Sequence, residues 1–172
     1  ILPFFLFSAT AGQLADKFDK SRLARLVKVL EMAIMAFAGL GFALTSLSLL
    51  LVPLFLLGCH STLFGPVKYA ILPQHLHEEE LIGGNALIEA GTFVAILLGT
   101  LLGGLLAAAE GGTAWIPLGG FVIAIAGYLA SRGIPAAPPP APDLRINANP
   151  LTETWRVIGH ARETRAVFLS IL

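Results

Sequence analysis

The chain has 172 residues, of which 56% are hydrophobic and 13% are charged, and its mean hydropathy is +0.81. A soluble domain carries about 25% charged residues because its surface faces water, so this composition excludes an ordinary soluble domain and predicts a membrane protein. The formal net charge is zero, which gives no indication of a nucleic-acid partner.

Apolar segments of membrane-spanning length follow one another along the chain. A spanning helix needs about 20 mostly apolar residues, and residues 32–67 contain no charged side chain, enough for most of two crossings that meet at Thr45-Ser46. The predicted helices cover residues 1–14, 22–44, 47–72, 84–109 and 114–132, and a last one begins near 166. Because both ends lie in apolar runs, we expect a fragment with at least one helix upstream.

The eleven lysines and arginines all fall on one side of this arrangement. They lie in and after the first connector, at the end of the third helix and after the fifth, whereas the turns at 45–46 and 110–113 contain none. The positive-inside rule makes the basic side cytoplasmic. The sequence therefore predicts that 17–21, 75–82 and 133–165 are cytoplasmic and that the two turns face outward.

The first connector, residues 12–22, reads GQLADKFDKSR. It resembles the signature loop between the second and third helices of the major facilitator superfamily, which runs roughly G-x-L-A-D-R/K-x-G-R/K-K/R. The matching residues are Gly12, Leu14, Ala15, Asp16, Lys17 and Lys20. Asp19 replaces the usual glycine and Ser21 a usual basic residue. Since aspartate tolerates a left-handed backbone better than most residues, we expect the turn to survive.

The residue types in this connector suit a gating role. A carboxylate at a helix end, among basic neighbours, can pair with cations or a helix N-terminus in one conformer and release them in the other. We therefore expect a gating motif, whose members are Gly12, Asp16, Lys17, Lys20 and Arg22. The alternative is an ordinary charged loop that is set by topology.

Two later strings narrow the resemblance. Residues 64–73 read FGPVKYAILP, and residues 83–92 read GGNALIEAGT, with AILLGTLLGG at 95–104. They resemble the fourth and fifth helices of bacterial lysophospholipid transporters, and equally the transporter portion of some bacterial fusions with acyltransferase and acyl-carrier-protein ligase domains. The resemblance implies the all-α, twelve-helix major facilitator fold of a polytopic membrane protein, with parts of helices 2 to 7 in this chain.

Charged residues inside membrane helices are costly and are candidates for function. Lys68 and Glu89 each lie about five residues from the inner end of a predicted helix, so both are roughly 8 Å deep and can form an interhelical pair; Lys68 can instead snorkel. Asn85 lies in the same string as Glu89 and is a further candidate for the transport path. Lys28 and Glu31 are three residues apart and can pair on one helix face, although Glu31 can instead face the pathway or titrate.

The fourth predicted helix carries a seam of small residues spaced four apart. Such seams let helix backbones approach closely in lipid, so we expect this one to serve helix packing. Its members are Gly91, Ala95, Gly99, Gly103 and Ala107.

Composition divides the chain into three parts. Residues 1–132 hold the membrane helices of the N-terminal half, residues 133–165 form a cytoplasmic Pro-rich linker with an amphipathic segment, and residues 166–172 begin the next membrane helix. Five prolines within 134–143 predict a stiff extended linker rather than a helix.

A short helix is predicted after the linker. Asn149-Pro150 has the pattern of an N-cap and first helical position. Leu151, Trp155 and Ile158 then share one face, which suits a helix lying on the inner membrane surface or a solvated connector.

These patterns predict a fragment of a membrane transporter that moves lysophospholipid across the bacterial inner membrane for reacylation, as the resemblance implies. The same fold can instead carry another amphipathic solute or drug, or the chain can be the membrane portion of a fused acyltransferase with its catalytic residues elsewhere. The expected partners are the bilayer, the amphipathic substrate and, in the last case, the acyltransferase. No enzyme activity and no cofactor are expected of this chain. A metal site is not expected either, since His75 and His77 would point to different faces of a helix and no sulfur ligand accompanies them.

Overall fold

A computed structural model describes residues 2–147, 149, 152, 153, 155, 156 and 159. Its helices are α1 (Leu2–Lys17), α2 (Lys20–Ala43), α3 (Leu47–Ala70), α4 (Leu72–His75), α5 (Leu81–Ala108) and α6 (Trp115–Ser131), with single 3-10 turns at Glu78–Glu80 and Gly112–Ala114. The all-α fold class is confirmed, and the predicted bounds of the first five helices agree to within about three residues.

Among the described residues, four helical segments are long and apolar enough to cross a membrane. They are Lys20–Ala43, Leu47–His75, Glu78–Ala108 and Gly112–Ser131. The chain is therefore a multi-pass membrane protein. The remaining long helix, α1, has 16 residues, and the helix predicted near residue 166 lies outside the described residues.

The turn between α2 and α3 falls at the predicted position. Thr45 has a φ of 47°, which reverses the chain. The Ser46 hydroxyl then accepts a hydrogen bond from Leu49 N (3.5 Å), so Ser46 caps α3. Next to this turn, a Cβ placed on Gly41 would lie 2.8 Å from the Leu50 side chain. The glycine therefore allows α2 and α3 to approach closely here.

The helices pack around α2, which contacts α3 on one side and α6 on the other, while α1 packs on α3. Small residues form these interfaces: Ala24 and Ala38 of α2 and Ala124 of α6 are buried. A Cβ on Gly58 would lie 2.8 Å from Pro3 of α1. In lipid, such small surfaces give the close contact that holds helices together.

Helix α5 lies at the edge of this bundle. None of its residues is buried, and Ile82, Leu87 and Leu105 are 83%, 76% and 69% exposed, as expected for side chains that lipid solvates. No described atom lies within 4 Å of a Cβ built on the three glycines of its small-residue seam. The packing role of that seam therefore remains a prediction.

The Pro-rich segment is docked on the end of the bundle that carries the first connector. We call residues 134–147 the strap. They contain no helix, as predicted, but they are tied to the first connector: Lys20 N donates to Ala137 O (3.0 Å), and Ala141 N donates to Asp16 O (3.1 Å). Ala137 is fully buried. Sequence analysis did not anticipate this docking.

The strap is also fastened to three other points. Asn147 N donates to Gln13 Oε1 (2.7 Å), and Gln74 Nε2 donates to Pro138 O (3.1 Å). The Arg25 guanidinium donates to Ile134 O (3.3 Å) at the start of the strap. Hydrogen bonds to backbone groups of the strap therefore make it part of the folded unit.

The N-cap predicted after the strap is confirmed at Asn149, whose side-chain oxygen accepts from Thr152 N (3.3 Å). Trp155 is helical and 69% exposed. Pro150, Leu151 and Ile158 lie outside the described residues.

The topology is testable by single-cysteine labelling of the full-length protein in a Cys59→Ser background. Glu79 and Glu110 are both exposed and lie on opposite sides in the predicted topology. We expect a membrane-impermeant maleimide to label Glu110→Cys in intact cells, and Glu79→Cys only after permeabilisation. Labelling of Glu79→Cys in intact cells would contradict the orientation.

Candidate functional site

The connector between α1 and α2 is organised by Asp19. Its carboxylate accepts hydrogen bonds from the Ser21 hydroxyl (2.6 Å) and from Arg22 N (3.0 Å), so it caps α2. The expected left-handed turn is not needed here, because Asp19 has φ −59° and ψ 121°. The hydrogen bond from Ser21 is the main cause that holds the pKa of the Asp19 carboxyl below its ordinary value, and burial opposes it.

The other residues of the predicted gating motif lie around this cap. Asp16 is exposed in the last turn of α1, and Arg22 is exposed in the first turn of α2. Lys20 is 2% exposed, and its ammonium has no hydrogen-bond partner among the described residues. Gly12 has open space where a Cβ would stand. The structure brings these residues to one end of the bundle, but none of the ion pairs it describes joins Asp16 to a basic residue.

A groove of about 810 Å³ opens beside this connector. It is lined by Leu14, Lys17, Phe18, Asp19, Arg22, Leu23, Leu26, Val27, Leu30, Leu63 and Pro139. Its wall is therefore mostly aliphatic, and its charged residues are confined to the connector, where Lys17 and Arg22 outnumber Asp19. The volume is within the range of small-ligand sites, about 300–1,000 Å³.

Lys68 and Glu89 do not pair directly. Lys68 Nζ donates to Thr92 Oγ1 (3.2 Å) and lies 4.7 Å from the centre of the Tyr69 ring. Glu89 instead accepts a hydrogen bond from the Tyr69 hydroxyl. Asn85 is exposed one turn before Glu89 on α5. Two contacts therefore join α3 to α5, which we call the crossed contacts: one is between Lys68 and Thr92, and the other is between Tyr69 and Glu89.

Helix direction explains this exchange of partners. Side chains tilt toward the N-terminus of their own helix, and α3 and α5 run in opposite directions in the predicted topology. Lys68 and Tyr69 of α3 therefore reach deeper into the membrane, whereas Glu89 tilts toward the cytoplasm. Lys68 passes Glu89 and meets Thr92, which also means that it does not snorkel toward the headgroups.

A third polar group lies between α2 and α3. Lys28 Nζ and Glu31 Oε2 are 2.7 Å apart, the predicted pair on one helix face. His60 Nε2 lies 3.5 Å from the same carboxylate oxygen, and the imidazole stacks on Phe64 with ring centroids 6.3 Å apart. His60 is not among the site residues predicted from the sequence. The signal that could have indicated it is a titratable residue in the middle of the uncharged stretch 32–67.

Comparison with known proteins places this chain in a family. The model of a major facilitator family, described as a transmembrane secretion effector, matches residues 1–169. The lysophospholipid transporter LplT of Cronobacter sakazakii is 31% identical over 173 residues, which cover 96% of this chain and 41% of that protein. Proteins of the same name from Salmonella newport and Salmonella typhimurium are 35% identical over 104 residues, covering 60% of this chain and 24% of theirs.

The chain thus spans less than half the length of these curated relatives. No solved structure matches it.

The cap at Asp19 makes a prediction about stability and pH. Asp19→Ala should destabilise the full-length protein by about 1 kcal/mol, because the first turn of α2 loses its acceptor. Asp19→Asn keeps an acceptor oxygen and is the matched control, with a much smaller effect at neutral pH. Thermal unfolding in detergent measures both.

The sign of the pH effect follows from the lowered pKa of Asp19. The stabilisation is present above the pKa of the unfolded state and is lost as pH falls through the folded pKa, that is, below the ordinary value of 3.8. Asp19→Asn should remove this acid-dependent part. An unchanged acid dependence in Asp19→Asn would show that the carboxylate does not act through its charge.

The crossed contacts of α3 and α5 predict a specific coupling. Tyr69→Phe and Glu89→Gln should be non-additive in thermal stability, with a coupling of about 0.5–3 kcal/mol, because the first removes the donor of the hydrogen bond and the second removes the charge of its acceptor. The control is the cycle of Lys68→Met with Glu89→Gln, for which we expect the smaller coupling. A larger coupling in the control would restore a direct pair of Lys68 with Glu89.

Proposed function

This chain belongs to the major facilitator family described as transmembrane secretion effectors, and from that premise we propose that the whole protein moves lysophospholipid across the bacterial inner membrane for reacylation. The curated relatives named lysophospholipid transporter support this substrate. The four membrane-length helical segments support a transport role within the bilayer.

The groove beside the connector is the observation that carries the proposal. A lysophospholipid has one acyl chain and a phosphate-bearing headgroup. The aliphatic wall, which includes Leu26, Leu30 and Leu63, suits the acyl chain, and Lys17 and Arg22 at its charged end suit the phosphate. A groove that is apolar along its length and basic at one end matches a single-chain lipid whose headgroup carries a phosphate.

The gating role belongs to the connector that forms the charged end of this groove. In this proposal Asp16, Lys17, Lys20 and Arg22 exchange partners as the two halves of the transporter move, while Gly12 leaves room for the approach. Lys20 supports the idea, because a buried ammonium is stable only in a conformer that supplies it with a partner. The strap holds the backbone of the same connector.

We assign Lys68, Asn85, Glu89 and Glu31 to the transport path. These residues lie in α2, α3 and α5, which belong to membrane-length segments, where a charged side chain is costly. We propose that the chain itself contributes transport and no enzymatic step, both in a stand-alone transporter and as the membrane portion of a fused acyltransferase.

Transport by the full-length protein in proteoliposomes tests the substrate. We expect uptake of labelled lysophosphatidylethanolamine. Leu26→Trp should reduce it by about tenfold by filling the groove. Leu40→Trp is the matched control, since Leu40 and Leu26 are both exposed leucines of α2 (57% and 64%) but Leu40 is outside the groove. Asp16→Asn should also reduce uptake while membrane insertion stays normal.

A monoacylglycerol and a cationic amphiphile separate the alternatives. Both have one apolar chain but neither has the phosphate. Preferential transport of the cationic amphiphile would contradict the proposal and favour a transporter of another amphipathic solute. Equal transport by Leu26→Trp and wild type would remove the groove from the path.

A further inference from the structure

The group formed by Lys28, Glu31 and His60, which we call the embedded cluster, lies deep in the bundle. Lys28 and Glu31 are 8 and 11 residues from the start of α2, and His60 is 10 residues before the end of α3. At 1.5 Å per residue these positions are about 12–17 Å from the cytoplasmic helix ends, close to the middle of a hydrocarbon core of about 30 Å.

One polar atom of the cluster has no hydrogen bond among the described residues. Glu31 Oε2 accepts from Lys28 Nζ at 2.7 Å. His60 is 6% exposed, and its Nε2 is buried without a hydrogen bond although the same carboxylate oxygen is 3.5 Å away. A neutral ring can present its Nε2 lone pair to the carboxylate, which repels it, whereas in the protonated ring both nitrogens carry a hydrogen and Nε2 faces the carboxylate as an N–H.

The surroundings contain no other charge that would take this role. Lys28 and Glu31 of α2 are the charged groups acting on the imidazole among the described residues. The charges of α1, at Asp16 and Lys17, lie in its last turn at the cytoplasmic end. Helix α6 presents Gly127 to the Lys28 side chain, and its titratable residue is Tyr128.

The aromatic ring of Phe64 completes the cluster. It stacks on His60 at an interplanar angle of 11° and lies 4.8 Å from Lys28 Nζ. Ring faces attract cations. The ring therefore favours positive charge at both nitrogen-bearing side chains, one on α2 and one on α3.

We propose that the embedded cluster is a proton-binding site, at which the unprotonated ring nitrogen of His60 takes a proton from water and the charged ring then donates a hydrogen bond from Nε2 to Glu31. The nitrogen lone pair forms the new N–H bond, and the water that supplied the proton is left as hydroxide or accepts another from bulk. The cluster changes from a net charge of zero to plus one. This inference goes beyond the transport proposal, because it does not depend on which substrate is carried.

Proton binding at this position ties two helices together. The bond between Lys28 and Glu31 lies within α2, whereas the bond from protonated His60 to Glu31 crosses from α3 to α2. A net positive charge at this depth is costly unless water or an anion is near. Loading and release of the proton therefore accompany a change in how far the α2–α3 interface is open.

The test uses the full-length protein in liposomes, with ¹⁵N-labelled histidine imidazoles and no substrate. Solid-state NMR resolves protonated from neutral rings, and His60→Gln identifies the His60 signal by its loss. We expect His60 to titrate between about pH 5 and 8, the range in which histidine changes charge. Glu31→Gln should weaken proton binding at His60 by about tenfold or more, and Lys28→Met should strengthen it, because each removes a neighbouring charge.

The exposed His75 and His77 are internal controls, whose NMR signals should not respond to Glu31→Gln. A His60 signal that stays constant across this range would overturn the proposal, and so would a titration that ignores both Glu31→Gln and Lys28→Met. If Glu31→Gln does not fold, the wild type and Lys28→Met decide. Since no lipid substrate is present, failure of lysophospholipid transport would leave this result intact.

Discussion

A bilayer offers no hydrogen bonds to the groups inside it, so polar groups of this chain are stabilised by partners within the protein or at the water-facing ends. The end that carries the first connector shows the first solution. Asp19 caps α2, and Arg25 donates to the last carbonyl of α6 and the first of the strap. The embedded cluster shows the second, in which Lys28 and Glu31 neutralise each other in mid-membrane.

The strap makes the end of the bundle at the first connector one continuous layer. Its backbone bonds to Asp16 and Lys20 in the first connector, and Pro138 accepts from Gln74 after α3. Ile134 packs against the buried cluster of Ala15, Ala24 and Val67. A displacement of the signature loop must therefore be accompanied by a displacement of the strap, and the strap continues directly from α6.

Helix α2 connects the two candidate sites. Its leucines at 26 and 30 line the groove, and its charged residues at 28 and 31 form the embedded cluster. These pairs lie on nearly opposite faces, since successive helix residues are about 100° apart. One face therefore meets the proposed lipid and the other meets α3, so a rotation of α2 would affect both.

The amino-acid sequence alone determined the helices, the turn at Thr45-Ser46 and the membrane class, because spanning length and charge distribution are local properties that lipid enforces. It also predicted the Lys28–Glu31 pair, which depends only on spacing along one helix. Only the tertiary structure decided which side chains meet across helices. It replaced a direct Lys68–Glu89 pair by contacts with Thr92 and Tyr69, because the direction in which a side chain tilts depends on the direction of its helix. The same packing brought His60 to Glu31 and docked the strap, contacts between residues far apart in sequence that no local pattern specifies.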